Sequence, residues 1–101
     1  MDTMSTDDIL MLPSTDSDGM DDGTVGSVIE WKDIDSDYHQ SIKERMRETG
    51  INLVPILVSH GVLWNGHHRV KIAVELGIET MNITDDSWAS GYAPNLEGAL
   101  L

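Results

Sequence analysis

Val62-Leu63-Trp64-Asn65-Gly66-His67-His68-Arg69-Val70 is the stretch whose reading decides the fold of this chain. Val62 to Trp64 is a short apolar run with strand character. Apolar residues then recur at Val70, Ala73, Val74 and Leu76, a helical spacing that predicts a helix from about His67 to Leu76, stopped by Gly77. Gly66 therefore falls at a strand-to-helix junction, where the lack of a Cβ lets the backbone approach a neighbour or a ligand closely. The N–H groups of the helix's first turn attract anions. That turn also carries His67, His68 and Arg69, although cations at a helix N-terminus oppose the macrodipole. A bound phosphate accounts for them better than helix stability does.

Working outward from this junction, Ser59-His60-Gly61 is a tight turn that joins a strand over Val54–Val58 to Val62–Trp64 as a hairpin. Pro55 suits the first residues of that strand or a sheet edge. Further upstream, Asp35 or Ser36 caps a helix running to about Thr49, with Gly50 as its stop. Tyr38, Ile42 and Met46 form its expected buried edge, and Lys43, Glu44, Arg47 and Glu48 a solvated face with i,i+4 pairing. Downstream, Thr80–Thr84 is a final strand containing Met81 and Ile83. Pieces of Val25–Trp31 have strand character, and Ile9–Pro13 reads as a short strand or docking turn ended by Pro13. The expected architecture is a small α+β domain, a mixed sheet with two main helices, over residues 25–85. Residues 1–24, with seven aspartates and no base, read as an acidic disordered tail, and residues 86–101 as a flexible C-terminal tail with Trp88 and Tyr92 as anchors. Trp64 is expected in the core or a pocket wall, and Trp31 as a cap on the domain.

Composition narrows the function classes. The chain has 101 residues and no cysteine, which excludes disulfides, thiolate zinc sites and thiol catalysis. No apolar run approaches the ~20 residues that span a bilayer, and no signal peptide opens the sequence, so a cytoplasmic protein without membrane contact is expected. The net charge of −12 is unevenly spread. Residues 1–37 carry eleven acids against one lysine, whereas residues 38–84 carry four acids against five bases and all four histidines. The central segment is suited to an anion. Extended binding to duplex DNA is disfavoured because no basic stripe exists to release counterions.

The element order and its motifs resemble the ParB/sulfiredoxin superfamily over about Tyr38 to Asp85. Ser41-Ile42-Lys43-Glu44, then Gly50-Ile51 and Pro55-Ile56-Leu57-Val58, look like the ParB run from a "SIKE" helix into a "P-I-V-V" strand. Gly66-His67-His68-Arg69 followed by Ala73 and Gly77 is similar to the family's G-x-R-R-x-x-A-A signature, with the looser superfamily form G-x-x-R. The His-His variant is similar to stand-alone ParB-like nuclease domains of phages and mobile elements. The resemblance implies that this turn holds nucleotide phosphates: Gly66 giving backbone room, Arg69 a bidentate phosphate contact, His67 and His68 donors or proton carriers. Three departures shape what carries over. Sulfiredoxin has a cysteine at the position of His67, so sulfinic-acid reduction is excluded. Only a short tail follows the last strand, so the helix-turn-helix and dimer domain of partition ParB proteins are not expected. Asp35-Ser36-Asp37 stands near the place of the arginine motif that precedes the family's "SIKE" helix.

Several alternatives stay open at the level of sequence. Asn65-Gly66 also reads as a structural turn. Arg69 binds an anion, or pairs with Glu75, Asp85 or the acidic tail. For His67 and His68, neighbours on a helix that point about 100° apart, three roles compete: general acid/base chemistry on a phosphodiester, a metal site completed by His39, His60 or an aspartate, or packing and backbone hydrogen bonding. The cofactor stays open between a nucleotide and a divalent metal ion, the latter without support from the ligand spacing. The expected function is a phosphate-bearing ligand, nucleotide or nucleic-acid end, bound by Asn65, Gly66, His67, His68 and Arg69, with His67 and His68 as candidate catalytic residues of a phosphodiesterase or nuclease. The alternative is a catalytically inactive acidic interaction protein, a phage-type inhibitor or a nucleic-acid mimic, that binds a host protein through its N-terminal tail.

Overall fold

A computed structural model describes residues 2–15 and 23–86. Its elements are β1 (Asp2–Ser5), α1 (Thr6–Leu10), α2 (Val25–Ile29), α3 (Asp37–Thr49), β2 (Ile56–Ser59), β3 (Val62–Asn65), α4 (His67–Leu76) and β4 (Thr80–Thr84). The strands form one mixed sheet in the order β1-β4-β2-β3. The β1–β4 and β2–β3 pairs are antiparallel, and β2–β4 is parallel. The protein is an α+β fold whose two long helices, α3 and α4, are accompanied by two of five residues each.

The central part forms as its local code predicts. His60 and Gly61 have φ of 53° and 73°, consecutive left-handed residues that give a two-residue hairpin turn whose twist matches β2 and β3. Ser36 caps α3 by accepting from the His39 N–H at 3.2 Å, and Gly50 ends it at φ 76°. Of the expected buried edge of α3, Met46 is buried and Ile42 packs on the core, but Tyr38 lies exposed at the helix start. The parallel β2–β4 pair needs a crossover, and α4 supplies it: Val70, Ile72 and Ala73 are fully buried with Ile56, Leu63 and Met81 of the sheet. Ahead of β2, the buried Asn52 is satisfied by Asn82. Its Nδ2 donates to the Asn82 carbonyl at 2.9 Å and its Oδ1 accepts from the Asn82 N–H at 2.8 Å.

The N-terminal third corrects the sequence reading. Residues 2–15 of the expected disordered tail belong to the fold. All four residues of β1 pair with β4, from Asp2 opposite Ile83 to Ser5 opposite Thr80. Thr6 then donates its N–H to Glu79 O at 2.8 Å and its hydroxyl to Ile78 O at 2.7 Å. A segment too poor in apolar residues to form a core of its own is ordered by backbone bonds to a distant strand and by fully buried Ile9. Ile9 and Leu10 lie in α1 rather than a strand, and Pro13 and Ser14 form isolated bridges to Thr24 and Leu63. Val25–Ile29 is likewise a helix, not a strand. Thr24 caps it, and the buried Val25, Val28 and Ile29 stand at i, i+3, i+4. Burial on one helical face outweighs the β-preference of valine and isoleucine here.

Trp64 is half exposed, its Nε1 donating to Ser59 O at 3.1 Å, and is not a core residue. Trp31, 77% exposed, caps no part of the domain among the described residues. Residues 16–22 of the expected N-terminal tail and 87–101 of the C-terminal tail, with Trp88 and Tyr92, lie outside the described residues. No helix among the described residues is long and apolar enough to cross a membrane.

Candidate functional site

Gly66 sets the geometry of the Asn65–Arg69 turn. Its φ is 107°, and a Cβ there would lie 2.4 Å from Ile56 Cγ2, so angle and space both require glycine. The strand-to-helix junction is pressed onto the sheet, and α4 starts immediately above β2. Asn65, the last residue of β3, is half-buried opposite Leu57.

The next three side chains part company. His67 is 5% exposed, and its Nε2 meets the buried Ser14 Oγ at 2.6 Å. Ser14 is held there because its segment lies along β3: Leu63 N–H donates to Pro13 O at 3.0 Å and Thr15 N–H to Leu63 O at 3.2 Å. His68, one residue on, stacks on His39 of α3 with ring centroids 4.2 Å apart and planes 13° from parallel. The His39 Nδ1 in turn meets the Ser36 Oγ at 2.9 Å, and the Tyr38 ring lies 5.3 Å from the His39 ring. Arg69 directs Nη1 to the carbonyls of Val54 and Pro55 at 2.6 and 3.1 Å. Burial lowers its pKa to about 10, against an opposing influence from Tyr38, so the guanidinium stays charged at neutral pH. Glu75, one of the acids considered for Arg69, pairs with Lys43 at 3.1 Å.

These contacts bring two helix starts together. His39 is the third residue of α3 and His68 the second of α4, and further along the same helices Lys43 meets Glu75. The helices thus lie side by side with their N-termini at one end, placing two positive dipole ends, two imidazoles and a guanidinium in one neighbourhood. His60 lies apart, in the turn at the other end of β3, where its Nδ1 meets the Ser59 Oγ. Among the described residues no group of three or more His, Asp or Glu side chains is placed to hold a metal ion.

Sequence reasoning located Asn65–Arg69 but missed the partners that give each side chain its direction: Ser14 for His67, His39 for His68, the Val54 and Pro55 carbonyls for Arg69. One signal was available. His39 is a second base-type side chain in the first turn of a helix, the same anomaly that singled out His67 to Arg69. No protein-family model, curated protein or solved structure matches the chain.

Proposed function

We propose that this chain is a ParB-like domain that binds a phosphate-bearing ligand, a nucleotide or a nucleic-acid end, where α3 and α4 begin. The observation that carries the reading is the His39–His68 stack, which unites two helix N-termini beside Arg69. Like dipole ends and cationic side chains repel, and a phosphate among them turns that repulsion into attraction. Arg69 supplies the permanent charge, with its direction set by the Val54 and Pro55 carbonyls. His68 and His39 supply ring N–H donors beside it. In a phosphodiesterase reading His68 is the candidate acid/base. His67, buried against Ser14, orients the turn instead of meeting substrate.

The test is thermal stabilisation by nucleoside mono- and triphosphates, by inorganic phosphate and by a 5′-phosphorylated oligonucleotide. At least one ligand is expected to raise Tm, with Arg69→Lys and His68→Ala each reducing the effect at least about fivefold in Kd. Because Arg69 keeps its charge up to about pH 10, its share of the affinity is expected to be unchanged between pH 6 and 8. No stabilisation by any of these ligands overturns the proposal.

A further inference from the structure

The segment between α2 and α3 is fixed from beneath yet turns its largest apolar side chain outward. Ile34 is 5% exposed, whereas Trp31, three residues earlier, is 77% exposed. This is not looseness of the segment. Lys71 Nζ of α4 donates to Lys32 O at 2.6 Å, Gln40 Nε2 of α3 donates to Ile34 O at 2.9 Å, and the Asp35 N–H donates to Asp33 Oδ1 at 2.8 Å. An indole contributes more than an isoleucine when buried, so a held loop that buries Ile34 and presents Trp31 forgoes stability. Trp31 lines a groove of about 350 Å³ between this loop and α4, in which four acids, Glu30, Asp33, Asp35 and Glu75, outnumber two lysines, Lys32 and Lys71. Glu75 is paired with Lys43, and the Lys71 ammonium is engaged by the Lys32 carbonyl. The Glu30 and Asp35 carboxylates make no ion pair with any described residue.

From this groove we infer a docking site for a basic segment of a partner protein, with an arginine or lysine side chain over the Trp31 ring and its charge facing Glu30 and Asp35. An indole face attracts a cation most strongly of the aromatic side chains, and carboxylates beside it select for positive charge. The same carboxylates repel nucleic acid, which separates this surface from the phosphate site proposed above. They also repel a second copy of this chain, whose net charge is −12. Nor is a bare metal ion the occupant, since no described group of three ligands is placed to hold one.

Fluorescein-labelled octa-arginine and octa-lysine, titrated with the full chain and read by anisotropy, test it. Trp31→Ala should weaken binding at least about fivefold and Trp31→Tyr by less, following the ranking of aromatic faces for cations. The pair Glu30→Gln, Asp35→Asn should weaken it similarly. The pair Asp7→Asn, Glu48→Gln, an equal change in net charge elsewhere, should leave it within twofold. Equal loss from both pairs would reduce the attraction to overall charge and overturn the site, as would unaltered binding by Trp31→Ala or no binding at all. Sedimentation of the chain alone covers the remaining occupant: a dimer abolished by Trp31→Ala would make the partner a second copy and overturn the basic-partner assignment.

Discussion

The two ends of α4 are both marked by a left-handed glycine, yet the two glycines answer different demands. Gly77 at the C-terminal end has φ 72° and open space where a Cβ would stand; Gly66 at the N-terminal end has φ 107° and meets Ile56 at 2.4 Å. Gly77 ends the helix, with its N–H donating to Val74 O at 3.2 Å. Gly66 does more, because it decides how close the helix start lies to the sheet and hence where His67, His68 and Arg69 are delivered. A backbone angle alone is a local matter, whereas a close approach couples the turn to the core.

That contrast can be broken by substitution. Gly66→Ala should lose about 3 to 5 kcal/mol in denaturant unfolding, since overpacking against Ile56 adds to the left-handed penalty. A loss no larger than that of Gly77→Ala would abolish the distinction. Combining Gly66→Ala with Ile56→Ala, which removes the Cγ2 at 2.4 Å but keeps the Cβ at 2.8 Å, should cost less than the sum of the single changes by at least about 0.5 kcal/mol, and strict additivity would remove the share assigned to Cγ2. Ser14→Ala, which deletes the buried partner of His67 Nε2, should cost about 1 to 3 kcal/mol. Gly77→Ala should cost about 1 kcal/mol, with Gly77→Asn below it, because only the angle is at stake. The smallest effect is expected for Glu75→Gln: its partly exposed pair with Lys43 is worth under about 1 kcal/mol, and less at high salt.

Legibility of the sequence follows the same division. From Ser36 to Thr84 each element is announced by residues inside or beside it: the Ser36 cap, the His60-Gly61 turn, the two helix-stopping glycines. In those stretches the expected helices, hairpin and last strand appear with ends shifted by a residue or two. The N-terminal third carries weaker local signals. Asp2–Ser5 becomes a strand only because β4 is there to pair with it, and no property of those four residues forecasts a partner at Thr80–Ile83. Val25–Ile29 did carry a usable signal, its i, i+3, i+4 apolar spacing, but five residues of mostly β-branched and glycine character obscured it. At the site, the sequence placed the phosphate-binding candidates on one turn and foresaw that His67 and His68 would diverge. It did not foresee which would turn inward, because Ser14 lies 53 residues away.

The pairing of β1 with β4 fixes an order of events. Their contacts join the two most distant described parts of the chain, and the Thr6 hydroxyl reaches Ile78 across 72 residues. During synthesis β1 is made before β4 and has no strand to join until β4 has emerged. The β2–β3 hairpin, with its two-residue turn, needs no such wait. β1, like β2, can pair with β4 only once β4 has emerged, and until β1 does so one edge of β4 stands open. The fold is most vulnerable to pairing with the wrong chain in the interval before β1 docks on β4.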